Sequence, residues 1–478
     1  MSSIIPTLTD PEAEYAIQSL CRLITFETVS NTATSTGAYV AAASYLLEQL
    51  ATVPCFDEIH ILPNSPPDSP VVVARWKGID EHLPVILLNS HYDVVPASPT
   101  DWTVSPFGGI RSQGRIYGRG TQDMKSVCIQ YIEAIRTLTR MTNNTPQRSI
   151  YLSFVPDEEV GGGGMTTFLS SDLFASLPGI ALALDEGLAS PTSTYSIFYG
   201  ERLPWWVHVE ATGATGHGSR FIEPTAVAQI LHVANKALSF RDEQRAILFG
   251  SLDKAQHLNC SHAVVAAANH HRQQATTTTT TKTTLGDVTS LNITTLQAGV
   301  RSGKDYVYNV VPPTASMSLD IRISPHVSPS FIGALLDTWC QECATPATTT
   351  PLIDSSTVEE PIQNISTTSN RSVTWRYIGN HGNDLQQHAL TSMDATINPW
   401  YERFTLALEQ MGLEYTPQVF PAATDSRFLR AMEIHALGFS PMRNSPILLH
   451  ENDEYIDEAV FVEGIGVYVG LLNHLLKY

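Results

Sequence analysis

Asn89-Ser-His-Tyr-Asp-Val-Val-Pro96 is the stretch that decides the fold prediction. It follows an apolar run, Pro84 to Leu88, whose composition and bounds are typical of a buried strand. In an extended segment, residues two positions apart point the same way, so His91 and Asp93 can act on one object together. The stretch therefore predicts a buried strand that ends in two polar side chains.

Short apolar runs and helical segments alternate around this stretch. Val71 to Trp76, Ser149 to Val155 and Ile180 to Leu184 read as strands, and Met124 to Thr139 reads as a helix. This alternation predicts an α/β fold in which helices cover a mostly parallel sheet. Ligands of such sheets collect at the carboxyl ends of the strands. Those ends carry His91, Asp93, Glu158, Glu159, Asp185 and Glu186.

A second, smaller domain is predicted where the pattern changes at Pro204. An alternating strand, a helix, two more strands and a further helix follow, which is an order typical of an α+β domain. We place this inserted domain at residues 204–340, so that residues 1–203 and 341–478 together form the larger domain. Two segments rich in Thr, Ser and Asn, 244–284 and 344–394, lack the apolar residues for a core and are predicted to be surface insertions.

Charge and cysteine content restrict the class of protein. The net charge of -19, from 47 acidic and 28 basic residues, argues against nucleic acid or an anionic membrane as the partner. The sequence shows neither a signal peptide pattern nor an apolar run long enough to span a membrane. Six cysteines are too few for a disulfide framework in 478 residues. We therefore expect a soluble, cytoplasmic protein.

The polar strand ends suggest a zinc site. Imidazole is a good zinc ligand, and Asp93 could fix the tautomer of His91 through a hydrogen bond to the ring nitrogen that does not bind zinc. A His-x-Asp pair also occurs in ordinary polar loops, and Asp123, after a glycine-bearing turn, could equally cap the next helix. The acids at 157–159 precede four glycines that allow a sharp turn, so Glu158 and Glu159 could take different roles. His450 ends an apolar run in the same way, although a single histidine is more often structural.

Taken together, these motifs resemble the dinuclear zinc amidohydrolases, a family that includes aminoacylases, glutamate carboxypeptidases and dipeptidases. The resemblance rests on motifs in the family's order and spacing, and longer strings such as DWTVSPFGG and PAATDSRFLR extend it to the aminoacylases. The matching motifs are SHYDVVP, GRGTQDMK, PDEEVGG, LDEG, GHGS and LLHENDE.

The resemblance implies two zinc ions per subunit, with cobalt or manganese as possible substitutes. One ion would be held by His91, Asp123 and Asp185, and the other by Asp123, Glu159 and His450. Glu158 would be the general base, and Asp93 would orient His91. Two such ions would acidify a water molecule and polarise the substrate carbonyl.

The resemblance also implies residues that bind the substrate, an N-acyl-L-amino acid. His217 would stabilise the oxyanion, Arg427 would bind the carboxylate, and Asn309 would lie beside it. Arg430, three residues further along, is an alternative for the carboxylate. The inserted domain would act as a lid and join two subunits in a homodimer.

Two other functions remain open at this point. A zinc carboxypeptidase or dipeptidase would use the same ligands on a short peptide, because metal ligands do not encode the acyl group. A catalytically silent binding scaffold would keep the fold, but it would not need Glu158, which is present here.

Overall fold

The computed structural model describes residues 5–142, 145–250, 283–344, 372–378 and 387–478. The chain divides into two compact units, one of Met1–Glu201 with Ala389–Tyr478 and one of Arg202–His388. The predicted surface insertions fall largely on residues 251–282 and 345–371, which lie outside the described residues.

The helices of the described residues are numbered along the chain. Those before residue 200 are α1 (Asp10–Ile24), α2 (Ala33–Thr36), α3 (Ala38–Ala51), α4 (Lys125–Thr142), α5 (Gly163–Leu169) and α6 (Asp172–Ser176). Those after it are α7 (Ala226–Phe249), α8 (Pro329–Ala344), α9 (Pro399–Gln410), α10 (Ser426–Ala431) and α11 (Glu458–Leu475).

The strands are numbered in the same way. The first eight are β1 (Phe56–Ile61), β2 (Val72–Trp76), β3 (Val85–His91), β4 (Ile110–Ser112), β5 (Arg115–Tyr117), β6 (Ile150–Val155), β7 (Ile180–Asp185) and β8 (Tyr195–Glu201). The next eight are β9 (Leu203–Thr212), β10 (Gly216–His217), β11 (Ser290–Ala298), β12 (Arg301–Ser302), β13 (Asp305–Tyr306), β14 (Val310–Val311), β15 (Thr314–Ile323) and β16 (Ser372–Tyr377). The last three are β17 (Tyr415–Phe420), β18 (Ala436–Gly438) and β19 (Tyr455–Asp457).

An eight-stranded mixed sheet forms the centre of the first unit, in the order β1-β2-β6-β3-β7-β18-β8-β17. The central pairs β6–β3, β3–β7 and β7–β18 are parallel, whereas β1 and β2 add antiparallel pairs at one edge. The α/β prediction is therefore confirmed, with a parallel centre where the polar strand ends meet.

Strand β3 is buried on both faces, as its unbroken apolar sequence predicts. Ile86 and Leu88 belong to the larger hydrophobic cluster, which also contains buried residues of α1, α3, α4 and α11. Val85 and Leu87 belong to the cluster on the opposite face, with Met165 of α5. Helices on both sides thus fix the strand, and with it the position at which His91 emerges.

The second unit is an antiparallel sheet in the order β11-β15-β9-β16, with α7 and α8 in its hydrophobic cluster. This is the α+β domain that the sequence predicts. Its second boundary differs from the predicted residue 340, because β16 pairs with β9 from Ser372↔Thr212 to Tyr377↔Val207. Part of the segment predicted as a surface insertion is thus a strand, which Trp375 anchors by donating a 2.8 Å hydrogen bond to Asp337.

Strands β1, β8 and β17 were not predicted from the sequence, because their short runs contain polar or proline residues that weaken the alternation. Helix α7 continues through Phe249, into the start of the segment predicted to be low in order. No helix in the described part of the chain has the length and apolar character needed to cross a membrane.

Candidate metal centre

The parallel register brings the polar strand ends to one edge of the sheet. His91, the last residue of β3, pairs with Val155, the last residue of β6. The chain beyond β6 therefore enters the space beside His91, and Glu158 follows three residues later. Strand β7 lies on the other side of β3, so its carboxyl end reaches the same edge.

Two groups of three possible metal ligands lie at this edge. In each group the ligand atoms lie within 4.8 Å of one another. The first group is His91, Asp123 and Glu186, and the second is Asp123, Glu159 and His450. His91 and His450, 359 positions apart in the sequence numbering, thus belong to one cluster.

Asp123 belongs to both groups because its two oxygens face different imidazoles. Oδ1 lies 3.0 Å from Nε2 of His91, and Oδ2 lies 3.2 Å from Nε2 of His450. Glu186 Oε2 lies 3.5 Å from His91 Nε2, and Glu159 Oε2 lies 3.2 Å from His450 Nε2. In this arrangement Asp123 could offer one oxygen to each of two cations, each with one imidazole and one further carboxylate.

Asp93 is fully buried behind His91. Nδ1 of His91 lies 3.1 Å from the backbone oxygen of Asp93 and 3.4 Å from its Oδ1. Both are acceptors, so they hold a proton on Nδ1 and direct Nε2 at Asp123 and Glu186. The Asp93 carboxylate also accepts hydrogen bonds from the backbone N–H groups of Glu158 and Glu159, at 3.1 and 3.2 Å.

The backbone turns at the two glutamates, as their separate roles require. Asp157 has φ +63°, and Glu158–Val160 then form a single 3-10 turn. Gly162 follows with φ +79°, a conformation that glycine adopts without steric cost. The two side chains can therefore leave the chain in different directions, and Glu159 reaches His450.

Asp185, which the resemblance suggests as a ligand, lies in neither ligand group, and Glu186 occupies that place instead. The register places Asp185 beside Asn89, whose Nδ2 donates to its Oδ1 at 3.0 Å. Ser426 donates to the other oxygen, Oδ2, at 2.8 Å. Both oxygens are thus occupied, whereas Glu186, one residue beyond the strand, turns towards His91.

The pKa values show strong mutual influence within the cluster. Burial would lower the pKa of His91, but hydrogen bonds with Asp123, Asp93 and Glu186 raise it well above its usual value. Hydrogen bonds with Asp123 and Glu159 raise the pKa of His450 to about 10. Burial, reinforced by the charge of Asp123, raises the pKa of Glu159 to about 7. Burial also raises the pKa values of Glu158 and Glu186.

The donor set fits divalent metal ions. It consists of imidazole nitrogens and carboxylate oxygens without a thiolate, a combination that suits zinc, cobalt or manganese. Glu159 Oε1 is buried and has no hydrogen-bond partner among the described residues. A buried carboxylate oxygen without a partner costs free energy that a cation would offset. The cluster therefore offers two candidate ligand groups for metal ions.

Glu158 is buried, its backbone N–H donates to Asp93 behind His91, and its side chain belongs to neither ligand group. Its Oε1 lies 3.6 Å from Nη1 of Arg427, whose side chain is 26% exposed and therefore accessible to a ligand. Arg430 is different, because its guanidinium is buried and donates to Glu201 and to the backbone oxygens of Ala436 and Phe198. Of the two arginines that the sequence leaves open, Arg427 is the more exposed, and its Nη1 also donates to the backbone oxygen of Thr424 at 3.0 Å.

His217 and Asn309 lie in the second unit, on β10 and just before β14. Both are exposed, and the backbone N–H of Gly218 donates to the backbone oxygen of Asn309 at 2.8 Å. The backbone N–H of Ser219 donates to Nδ1 of His217 at 3.2 Å. Because Nδ1 accepts, the neutral ring carries its proton on Nε2.

Three buried acids at this edge were given no role by the sequence analysis. Glu186 was recognised as a strand-end acid, but the motif LDEG does not show which of its two acids turns inward. Neither oxygen of Asp425, which is 1% exposed, has a hydrogen-bond partner within the described chain. Glu454 is fully buried, although only His450 of the motif LLHENDE was predicted to be a site residue.

The geometry predicts opposite outcomes for two adjacent substitutions. Glu186→Gln should weaken binding of one of two zinc ions by roughly tenfold or more, because a neutral amide replaces a charged ligand. Asp185→Asn should still bind two ions, since its side chain contacts Asn89 and Ser426 instead. Equilibrium dialysis at limiting zinc, followed by metal analysis, checks both variants. Loss of an ion from Asp185→Asn alone would restore the original assignment.

Comparison with known proteins finds relatives that match over most of the chain. The chain is 39% identical over 414 residues to aminoacylase-1 of Dictyostelium discoideum, covering 86% of each protein. It is 37% identical over 407 residues to aminoacylase-1 of Homo sapiens, covering 85% of this chain and 83% of the human protein.

Solved structures share the fold at low sequence identity. A metallo-carboxypeptidase of Sulfolobus solfataricus matches with a TM-score of 0.61 and 16% identity, covering 97% of this chain and 99% of that one. A Bacillus subtilis protein described as a dinuclear metal binding peptidase matches with a TM-score of 0.57 and 14% identity, covering 98% and 99%. The model of the peptidase family M20/M25/M40 matches residues 87–474. This chain therefore belongs to the M20/M25/M40 peptidase family.

Proposed function

We propose that this protein hydrolyses the amide bond of N-acyl-L-amino acids, giving a carboxylate and a free amino acid. The observation that carries the proposal is the pair of ligand groups that share Asp123, with Glu158 buried beside them. The substrate class is inferred from the aminoacylase-1 relatives, which are 37–39% identical over most of the chain.

We propose zinc as the metal, two ions per subunit, with cobalt or manganese as substitutes. His91, Asp123 and Glu186 would hold one ion, and Asp123, Glu159 and His450 the other. The related Bacillus subtilis peptidase, described as dinuclear, supports the number. When bound, the ions would supply Lewis-acid chemistry, acidifying a water molecule and polarising the scissile carbonyl.

Glu158 would act as the general base. It would take a proton from the attacking water and return it to the nitrogen of the leaving amine, while the C–N bond breaks and a C–O bond forms. Its position depends on Asp93, which accepts the backbone N–H of Glu158 and also orients His91. Asp93 would thus fix the positions of Glu158 and His91 relative to each other, without itself contacting the substrate.

Arg427 would bind the free carboxylate of the substrate. Its guanidinium is partly exposed and lies 3.6 Å from Glu158, close enough to place a substrate carboxylate near the base. A planar guanidinium can bind a carboxylate through two parallel hydrogen bonds. The buried Arg430, paired with Glu201 at 3.2 Å, would instead support the segment that carries Arg427.

His217 would donate the proton on Nε2 to the oxyanion of the tetrahedral intermediate, with Asn309 as a polar contact for the substrate. We propose that the second unit also joins two copies of the chain in a homodimer. Its strands β11 and β16 form the edges of the described sheet and could pair with another copy. Two large side chains near His217 are strongly exposed. Phe221, four positions after His217 in the sequence, is 106% exposed, and Tyr308, just before the strand β14 that pairs with β10, is 94% exposed.

A cytoplasmic location fits the state of the cysteines. The five cysteines in the described ranges, Cys21, Cys55, Cys128, Cys340 and Cys343, are free thiols. Cytoplasmic proteins keep thiols reduced, whereas secreted proteins more often pair them. We therefore propose the cytoplasm as the compartment.

A substrate panel tests the proposed reaction. The zinc-loaded protein should hydrolyse N-acetyl-L-methionine with a higher kcat/KM than Gly-Leu, and it should not act on the D-enantiomer. Dialysis against a chelator should abolish the activity, and added zinc should restore it, because the ions supply the Lewis acid. A higher kcat/KM for Gly-Leu would favour a dipeptidase, and no hydrolysis by a zinc-replete sample would favour a binding scaffold.

Glu158→Gln should keep both ions but lower kcat by roughly 10²- to 10⁴-fold, the range that proton transfer by a positioned side chain supplies. Metal analysis checks that both ions remain bound, and steady-state kinetics on N-acetyl-L-methionine check the fall in kcat. The matched control is Glu133→Gln, which removes a charge from a buried glutamate of α4. A near-normal kcat in Glu158→Gln would remove this residue from the mechanism.

Arg427→Ala should raise KM for N-acetyl-L-methionine roughly tenfold or more, because a charge-assisted hydrogen bond contributes about 1.5–3 kcal/mol. The corresponding primary amide, which has no carboxylate, should be affected much less. Arg443→Ala is the control, since Arg443 pairs with Glu463 at 2.7 Å. Equal effects on the acid and the amide would contradict a carboxylate contact.

A further inference from the structure

Glu454 precedes β19 and follows His450 by four positions, and its side chain is fully buried. A buried carboxylate requires several donors, because it loses its hydration shell. Glu454 has donors on both of its oxygens, and all of them come from residues 119–123. This segment is the turn that ends at Asp123, the ligand common to both groups.

Each oxygen of Glu454 holds a different part of this turn. Oε1 accepts hydrogen bonds from the backbone N–H of Gln122 at 2.7 Å and from that of Asp123 at 3.4 Å. The hydroxyl of Thr121 donates to the same oxygen at 3.3 Å. Oε2 accepts from the backbone N–H of Gly120 at 3.1 Å and from Nη1 of Arg119 at 2.9 Å. One side chain thus fixes the backbone that aims the Asp123 carboxylate.

Arg119 connects Glu454 to the loop that carries His450. Its Nη1 also donates to the backbone oxygen of Glu451 at 3.0 Å, and Nη2 donates to that of His450 at 3.3 Å. The guanidinium lies 5.1 Å from the ring centroid of Trp102 and is almost completely buried. Arg119 therefore restrains the backbone of His450, a ligand whose own side chain is 46% exposed.

The His450 loop needs such a restraint because its backbone is in a sparsely populated region. His450 has φ +62° and Asp453 has φ +54°, and neither is glycine. A non-glycine residue in this region costs of order 1–3 kcal/mol unless its surroundings hold it there. The hydrogen bonds from Arg119 to the carbonyls of His450 and Glu451 are contacts that do so.

We propose that Glu454 and Arg119 are a pair of positioning residues that set the metal affinity of the centre by fixing Asp123 and His450 relative to each other. Glu454 fixes the orientation of the Asp123 carboxylate. Arg119, which is hydrogen-bonded to Glu454, fixes the backbone of His450. The inference rests on the proposed function only in requiring that ions bind. A buried ion pair contributes little net stability by itself, so its value here lies in geometry.

The pair predicts different effects for its two members. Glu454→Gln places an amide NH₂ against donors of the turn, so Asp123 is displaced and both ions should bind roughly 10- to 100-fold more weakly. Arg119→Met leaves the turn amides on Glu454 but releases the His450 loop. It should therefore weaken mainly the ion held by Asp123, Glu159 and His450, with the other ion changed by less than about threefold.

The experiment titrates Co²⁺ into the metal-free full-length variants against a competing chelator and follows the visible absorption bands of each bound ion. Glu133→Gln is the matched control, because Glu133 is 2% exposed and pairs with Arg136 at 3.0 Å, outside both ligand groups. Its Co²⁺ affinities and spectrum should equal those of the unmodified protein. Circular dichroism of each metal-free variant shows whether it is folded.

Unchanged Co²⁺ affinities in folded Glu454→Gln and Arg119→Met would overturn the inference, as would an equal loss of affinity in Glu133→Gln. If Glu454→Gln does not fold, the result for Arg119→Met decides. The inference would be overturned if Arg119→Met lowered the Co²⁺ affinity equally for both ions, or for neither ion. An unmodified protein that binds two ions without hydrolysing acyl amino acids would refute the proposed function and leave this comparison intact. An unmodified protein that binds no ions would refute both.

Discussion

The contact on which the centre depends is that between the carboxylate of Asp123 and two imidazoles. One oxygen faces His91 at 3.0 Å and the other faces His450 at 3.2 Å. The histidines come from opposite ends of the chain, so this carboxylate can join them only if the first and last parts of the sequence fold into one unit. The division of the chain, with residues 1–201 and 389–478 in the same unit, meets that requirement.

The second constraint is the concentration of buried acids at one sheet edge. Burial raises the pKa values of Glu158, Glu159 and Glu186, which means that these groups resist ionisation together. Imidazoles offset part of this cost, and bound cations would offset more. The same physical chemistry explains Asp185, since its carboxylate is held by Asn89 and Ser426 and can remain buried at a distance from any ion.

Elements with a regular pattern of apolar residues were predictable from the sequence, whereas features that depend on the register of a single residue were not. The unbroken apolar run before His91 was sufficient to predict a strand covered on both faces. The choice between Asp185 and Glu186 was not recoverable, because it depends on which residue lies beside Asn89 in the neighbouring strand. The roles of Arg427 and Arg430 could not be separated either, since only tertiary contacts show that Glu201 occupies Arg430. Strand β16 was missed because the biased composition around it hid its alternation.

Strand β16 also determines where this chain can vary in length. Helix α8 ends at Ala344 and β16 begins at Ser372, and both elements belong to the second unit. The two ends of residues 345–371 are therefore attached to elements of one unit, α8 and β16. Because β16 is held by its pairing with β9 and by the hydrogen bond of Trp375, the number of residues between α8 and β16 can change without altering the strand order of the sheet.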